Sequence, residues 1–451
     1  MTSSTAAGRV DLLETVEILH EHLTEGLCQG VFDDVREGER RRLWTLERLA
    51  EFWVAVVLRA PKSLTHALAE ASGGKGTFPT VEASDQAFFS RCQTLSWEFF
   101  ARVFVLFNEA VAKAEPGQFC AHLGPLSRRF GGNIWALDGS SLDPVARRLK
   151  LLWGDRRVPL PGSVVAFYDV KRGTVARLRY ETTPQGKEPI AAREELVHVP
   201  AGALVLADRL YGLPWFFEAL TERGLFGITR RNQRANLVLG QQHSKTSRAA
   251  ETVEDCDVEI GGERSTMQRV RCIRWRKGRK TLELLTNVLD RTKLSAQEAL
   301  DLYKERWSIE RLFYDLKEVL NLHRFYAANV NAVAMQVYAA AIVHVAMRAA
   351  QGRIAAKAKI APEKLSTGKL FPKVAAASEA LTNAELTFEA VRRANPKVKL
   401  RKPDWHTMAF AYTDLATVLV EKRGPGGRKK RIKAGRHSRR PLPLPPPQPP
   451  R

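Results

Sequence analysis

Cysteine is scarce. Five occur in 451 residues (Cys28, Cys92, Cys120, Cys256 and Cys272), scattered and with no CxxC pair. That spacing argues against a structural zinc site and a disulfide scaffold, and for a reducing compartment. A signal peptide is missing too, because the N-terminal stretch MTSSTAAGRVDLLETV has no apolar core region. The most apolar run, Ala332–Met347, contains Gln336 and His344 and is too short to span a bilayer, so it reads as a buried helix. No lipidation motif is present. The Gly-rich stretch SGGKGTFPT at 72–80 lacks the GxxxxGK[ST] spacing of a phosphate-binding loop. Acidic residues are in deficit: 49 Asp and Glu stand against 71 Lys and Arg, a net charge of +22. An excess that large implies a polyanionic partner, with nucleic acid first and an anionic membrane as the alternative.

What is there divides by texture. Residues 1–130 look helical, with Leu12, Val16, Leu19 and Leu23 at helical spacing, and form a region suited to DNA binding or simply to packing. From 131 to 230 the chain alternates. Apolar strands are expected at Ile134–Leu137, Ser163–Val170, Val175–Thr182, Ala203–Ala207 and Leu225–Thr229, with helices at Pro189–Val197 and Pro214–Arg223. This order predicts the first part of an α/β core with a mixed sheet. Residues 231–290 read as a β-rich insertion, with strands at Val253–Ile260, Arg269–Trp275 and Leu282–Leu289. There Trp275 lies among Arg271, Arg274, Arg276, Lys277, Arg279 and Lys280. That interleaving suits DNA contact, or equally an edge strand guarded by charge. Residues 291–350 complete the core, 351–420 are helical, and 421–451 read as a disordered basic, Pro-rich tail.

The acidic residues that remain stand in telling places. Leu302–His323 is expected as one long helix, with Ser295 as N-cap and Glu298 completing a capping box. Leu302, Ile309, Phe313, Leu316 and Leu320 give it a buried face. Tyr303, Arg306, Glu310 and Lys317 fall within about 60° of one another and make a second stripe beside that face. Two readings are open: a solvated face with Arg306 and Glu310 as an ordinary i, i+4 pair, or a carboxylate for a metal flanked by groups for phosphates. Asp138 ends the apolar run Ile134–Leu137, and Asp208 ends Ala203–Ala207. Singly, each reads as a turn residue or a helix cap. Acidic groups past adjacent buried strands converge above a sheet, and with Glu310 they make three carboxylates, a set suited to two hard divalent cations.

Asp138 in LDGSSL, Asp208 in LVLADRLYG and the spacing Tyr303-x2-Arg306-x3-Glu310-x6-Lys317 resemble the DDE transposases of bacterial insertion sequences, in the subgroup with the Y-R-E-K signature (the IS-four type). The resemblance covers roughly residues 133–322. It implies an RNase H-like catalytic core with a β-strand insertion between the second Asp and the Glu, flanked by helical N-terminal and C-terminal regions. It also implies cut-and-paste transposition with two Mg²⁺ ions, Mn²⁺ substituting. On that resemblance Asp138, Asp208 and Glu310 are the catalytic metal ligands. Tyr303, Arg306 and Lys317 contact transposon-end DNA, Trp307 matches a family tryptophan, and Trp275 is placed to stack on an end base. The implied partners are double-stranded DNA, both insertion-sequence ends and target, and further copies of the chain in a dimer or higher multimer. The implied location is the cytoplasm, at the nucleoid. A nuclease without strand transfer and a catalytically inactive DNA-binding repressor are the alternatives; the intact acidic set disfavours the repressor.

Overall fold

A computed structural model describes residues 13–396 apart from 35–41, 73–80, 116–118, 143–161, 183–187, 249–250, 263–264, 328 and 395. The tail expected at 421–451 lies outside the described residues.

The N-terminal third is helical: α1 (Glu14–His22), α2 (Glu25–Asp34), α3 (Leu46–Arg59), α4 (Leu64–Ser72), α5 (Asp85–Thr94), α6 (Glu98–Ala114) and the short α7 (Gly124–Arg128). Thr45 caps α3, its hydroxyl accepting the N–H of Arg48 at 3.3 Å. The α6 sequence buries Phe100, Val103, Phe104, Phe107 and Val111, residues three and four apart, so one face of the helix is aromatic and aliphatic.

Among the described residues nine strands follow: β1 (Ile134–Ser141), β2 (Ser163–Asp169), β3 (Thr174–Glu181), β4 (Leu204–Ala207), β5 (Phe226–Arg230), β6 (Asn236–Arg248), β7 (Glu251–Gly262), β8 (Ser265–Lys277) and β9 (Lys280–Thr286). Helix α8 (Glu188–Glu195) precedes β4, and α9 (Pro214–Glu222) precedes β5. All nine strands form one sheet in the order β3-β2-β1-β4-β5-β9-β8-β7-β6. At its centre β1, β4 and β5 run parallel, while β2 and β3 run antiparallel at one end. The central strands read as unbroken apolar runs because both faces are covered. Ile134 and Ala136 face the helical side, Trp135 and Leu137 face α8 and α9, and Leu204 and Leu206 alternate with Val205 and Ala207 in the same way. This is an RNase H-like sheet, extended by an antiparallel meander.

The meander corrects one expectation. β8 is not an edge strand, because β7 and β9 pair along both its sides. Its arginines are not all free to meet a partner either. Arg271 is fully buried against Asp255, and Arg274 bridges Glu254 and Glu283. Arg276, Arg279 and Lys280 remain exposed. The strand β6 has no counterpart in the sequence reading.

After the sheet come α10 (Ala296–Tyr303), α11 (Trp307–Tyr314), α12 (Val330–Lys357) and α13 (Thr367–Ala394). The capping box at Ser295 and Glu298 forms as expected. The single long helix does not. A 3₁₀ turn at Lys304–Arg306 separates α10 from α11, and a π turn at Asp315–Val319 ends α11. Asn321 then takes a left-handed conformation with φ 58°, so the chain turns away at once. At 28 residues α12 is longer than the apolar run suggests, long enough in length and composition to cross a membrane. It is instead apolar all round because it is packed all round, by α1, α3, α6 and β3.

Candidate active site

The sheet explains how two aspartates meet. Leu137 of β1 and Ala207 of β4 are partners in a parallel register. The next residues, Asp138 and Asp208, are therefore neighbours across strands spaced by about 4.8 Å, on the face shared with Ala136 and Leu206. Asp138 does not end its strand, since β1 runs on to Ser141 in register with β2. Its Oδ1 accepts the Gly139 N–H at 2.9 Å. Asp208 does follow the last residue of β4. It caps a 3₁₀ turn, its Oδ1 accepting the Leu210 N–H at 2.7 Å.

Helix α11 lies across this face, packed on β1 and β2 through Ile309, Leu312 and Phe313. Arg306 and Glu310 are the i, i+4 pair that spacing allowed, at 2.7 Å, but the same guanidinium also reaches Asp138 at 3.6 Å. Lys317, carried by the π turn, donates at 2.6 Å to the Ser140 hydroxyl and to the Ser141 carbonyl. The Tyr-Arg-Glu-Lys stripe thus runs along the polar half of β1, from Asp138 to Ser141. Tyr303 and Trp307 flank Arg306, their rings 5.9 and 5.4 Å from its guanidinium carbon. Trp307 is 64% exposed, an unusual position for an indole.

Beside the aspartates opens a cavity of about 580 Å³, walled by Asp208, Arg230, Trp275, Tyr303, Arg306 and Trp307 among others. Trp275 comes from β8, and its indole N–H is held by Glu251. The meander and the helix after it thus share one aromatic, basic recess next to the acidic pair.

Burial, then the charges of Asp208 and Glu188, push the Asp138 carboxyl up to about 7, against the Gly139 N–H and Arg306, which favour its ionised form. An unfolded Asp loses its proton near 4, while the folded chain keeps this one to about 7, so the folded state binds more protons between those values. Stability of the metal-free protein therefore falls as pH rises through that window and levels off above it. Asp138→Asn should flatten that part of the profile, as read by urea denaturation at about pH 5 and pH 8. An unaltered pH slope in the variant would remove Asp138 as its source.

The donors in reach are hard oxygens, the chemistry of a hard divalent cation, and among the described residues Asp208 forms no ion pair. The carboxylates nonetheless do not close into a cage. Among the described residues no three His, Cys, Asp or Glu side chains stand close enough to hold an ion. The Arg306 guanidinium supplies positive charge between Asp138 and Glu310.

Sequence reading missed one acidic residue here. Glu188, the first residue of α8, lies over Gly139. The only hint was Gly139 itself, which reads as a turn glycine.

An RNase H-like sheet with two adjacent aspartates under a helix bearing a glutamate places this chain in a class whose acidic residues sit above the sheet centre. Residues 163–346 match the family described as "Transposase DDE domain". Asp208 and Glu310 fall inside the matched stretch and Asp138 just before it. A protein of Sinorhizobium fredii (strain NBRC 101917 / NGR234) named "Putative transposase y4zB" is 30% identical over 162 residues, which cover 34% of this chain and 44% of that protein. The similarity therefore spans less than half of either chain.

Proposed function

We propose that this protein is a transposase that cuts DNA at the ends of an insertion sequence and joins those ends to target DNA. The observation that carries the reading is the register. Asp138 and Asp208 stand side by side beyond Leu137 and Ala207, with Glu310 on the helix packed across them, in a chain that matches a transposase DDE domain. The match to the transposase DDE family, rather than the spacing of the carboxylates in this arrangement, supports Asp138, Asp208 and Glu310 as the metal ligands, with Mg²⁺ the ion expected and Mn²⁺ its substitute. Bound there, the ion would act as a Lewis acid on the scissile phosphate and activate water or a 3′-hydroxyl.

The chain's own groups do the rest. Arg306, which bridges Asp138 and Glu310, offers a fork for phosphate oxygens and would be free to hold the DNA backbone were a cation to satisfy those carboxylates. Lys317 fixes the end of β1 through Ser140 and Ser141 and brings a point charge to that end of the strand. The recess walled by Trp275, Tyr303 and Trp307 is sized and lined to stack an unpaired base. The net charge of +22 draws the duplex in from solution. Two ends must be handled together, so a dimer or larger assembly on DNA belongs to this reading. The Y-R-E-K spacing supports the corresponding subgroup.

The test uses the purified full chain with a supercoiled plasmid carrying the inverted repeats that flank its gene, a second plasmid as target, and Mg²⁺ or EDTA. The expected result is Mg²⁺-dependent cleavage at the repeats and products joined to the target. Cleavage without joining would make it a nuclease, and binding without cleavage a repressor; either result overturns the proposal.

A further inference from the structure

Two cavities meet at Asp208. The first is the aromatic recess that also holds Trp275 and Tyr303. The second, of about 350 Å³, is walled by Asp208, Arg209, Leu210, Asn232, Gln233 and Arg234. Asp208 and Arg209 wall both, so this pair is the partition between them. The second cavity has no aromatic wall, and two guanidiniums stand at it.

Two segments build this cavity: the turn after β4, and the loop 231–235 between β5 and β6. Gly212 lets them touch, since a Cβ there would lie 2.3 Å from the Arg230 carbonyl oxygen and 2.8 Å from the Asn232 nitrogen. The Asn232 side-chain amide donates to the Arg209 carbonyl at 3.0 Å, and its Oδ1 accepts the Arg234 N–H at 3.0 Å. Arg231 ties the start of the loop to β9, its N–H donating to the Glu283 carbonyl at 2.9 Å and its guanidinium to the Glu283 carboxylate at 3.0 Å. The backbone is thus fixed, while the side chains of Arg209, Gln233 and Arg234 are exposed. Among the described residues no carboxylate pairs with Arg209, Arg230 or Arg234. Arg231, Arg271, Arg274 and Arg291, by contrast, are each bridged to an Asp or Glu. Uncompensated guanidiniums on a fixed frame suit phosphate oxygens.

Joining an end to a second DNA brings both to the same carboxylates. The end 3′-oxygen bonds to a target phosphorus, and the bond from that phosphorus to the target's own 3′-oxygen breaks. The proton of the attacking hydroxyl passes through water to the departing oxygen. In such an in-line displacement the attacking and leaving oxygens lie on opposite sides of the phosphorus, so the two DNAs come to Asp208 from two sides. The aromatic recess serves the end. We propose that the second cavity holds the backbone of the target DNA, with Arg209 and Arg234 binding phosphates beside the one attacked and Asn232 positioning both arginines. The inference rests on the transposition reading given above.

The test uses the purified full chain with Mg²⁺, a plasmid target, and end duplexes already cut, so that joining alone is scored; cleavage of uncut ends is measured in parallel. Arg234→Ala should raise the target concentration for half-maximal joining by about tenfold, with the rate at saturating target held. The slope of that concentration against salt, both as logarithms, should fall by about 0.9, the share of one phosphate contact. Arg234→Lys should recover most of the loss, because the charge is kept and only the fork is gone. Lys113→Ala removes one exposed charge from α6, outside both cavities, and should change neither quantity. Melting temperatures of all three variants should match the parent, since the substituted side chains are exposed. An unchanged target dependence and salt slope in Arg234→Ala would remove the cavity from target binding. Cleavage of uncut ends falling as far as joining would assign the cavity to the DNA flanking the end, and overturn the proposal. If the parental chain joins no ends, the transposition reading falls and this inference with it.

Discussion

Asp208→Asn should lower metal-dependent cleavage of end DNA by about a thousandfold or more and leave DNA binding nearly intact. The substitution keeps the volume and one side-chain oxygen. That oxygen can still accept the Leu210 N–H, now made at 2.7 Å, so the 3₁₀ turn after β4 keeps its cap. What disappears is the negative charge next in register to Asp138. Lewis acidity at a scissile phosphate supplies several kcal/mol of barrier lowering, and each 1.36 kcal/mol is tenfold in rate, which gives about a thousandfold. Binding, by contrast, draws on cations spread over the surface, and the variant adds one unit to the positive excess. Gel-shift affinity and cleavage rate measured on one preparation separate the two. A variant that cleaves at the parental rate would take Asp208 out of the chemistry.

Arg271→Ala should destabilise the fold by about 3 kcal/mol, the lower part of the range for breaking a buried ion pair. Arg271 is fully buried, and its guanidinium meets Asp255 at 2.7 and 3.2 Å and the carbonyls of Val288 and Leu294 at 2.9 and 2.8 Å. It therefore ties β8 to the chain that leads into α10. Truncation leaves two carbonyls without this donor, while Arg291 still reaches Asp255 at 3.2 Å and moderates the loss. Arg276→Ala, five residues along the same strand but exposed, should stay within about 0.5 kcal/mol. Equal midpoints in urea for the two variants would contradict this division of the basic strand into a buried tie and a free face.

The two arginines also show where reading the sequence stopped. Arg271 and Arg276 stand in one cationic run, and nothing local separates them. The partner of Arg271 is Asp255, on a neighbouring strand and outside any helical spacing, so only the β7–β8 register reveals the pair. The central strands were legible for the opposite reason. Both faces of β1 and β4 are covered, so they read as apolar runs whatever their partners. β6 escaped because it is largely exposed and polar in its second half, NLVLGQQHSKTSR, without the alternation that marks a half-buried strand. The stripe of Tyr303, Arg306 and Glu310 survived the 3₁₀ turn because that turn is only three residues long and α-helix resumes at Trp307. The π turn at Asp315–Val319 left no trace in the apolar spacing, yet it decides where Lys317 points. Glu188 was invisible for a simpler reason: its meaning lies in Gly139, across the sheet.

The place of α12 at the centre of the helical layer has a consequence for how the protein is made. Helices α1, α3 and α6 are synthesised first, but the helix that fills the space among them starts only at Val330. At about 5–20 residues per second, ribosomes leave those early apolar faces uncovered for roughly ten seconds or longer. The aspartate pair forms from the sheet well before Glu310 emerges. A chain still attached to the ribosome therefore carries an exposed apolar layer and an acidic pair without its helix. At that stage the apolar layer is most open to association with other chains.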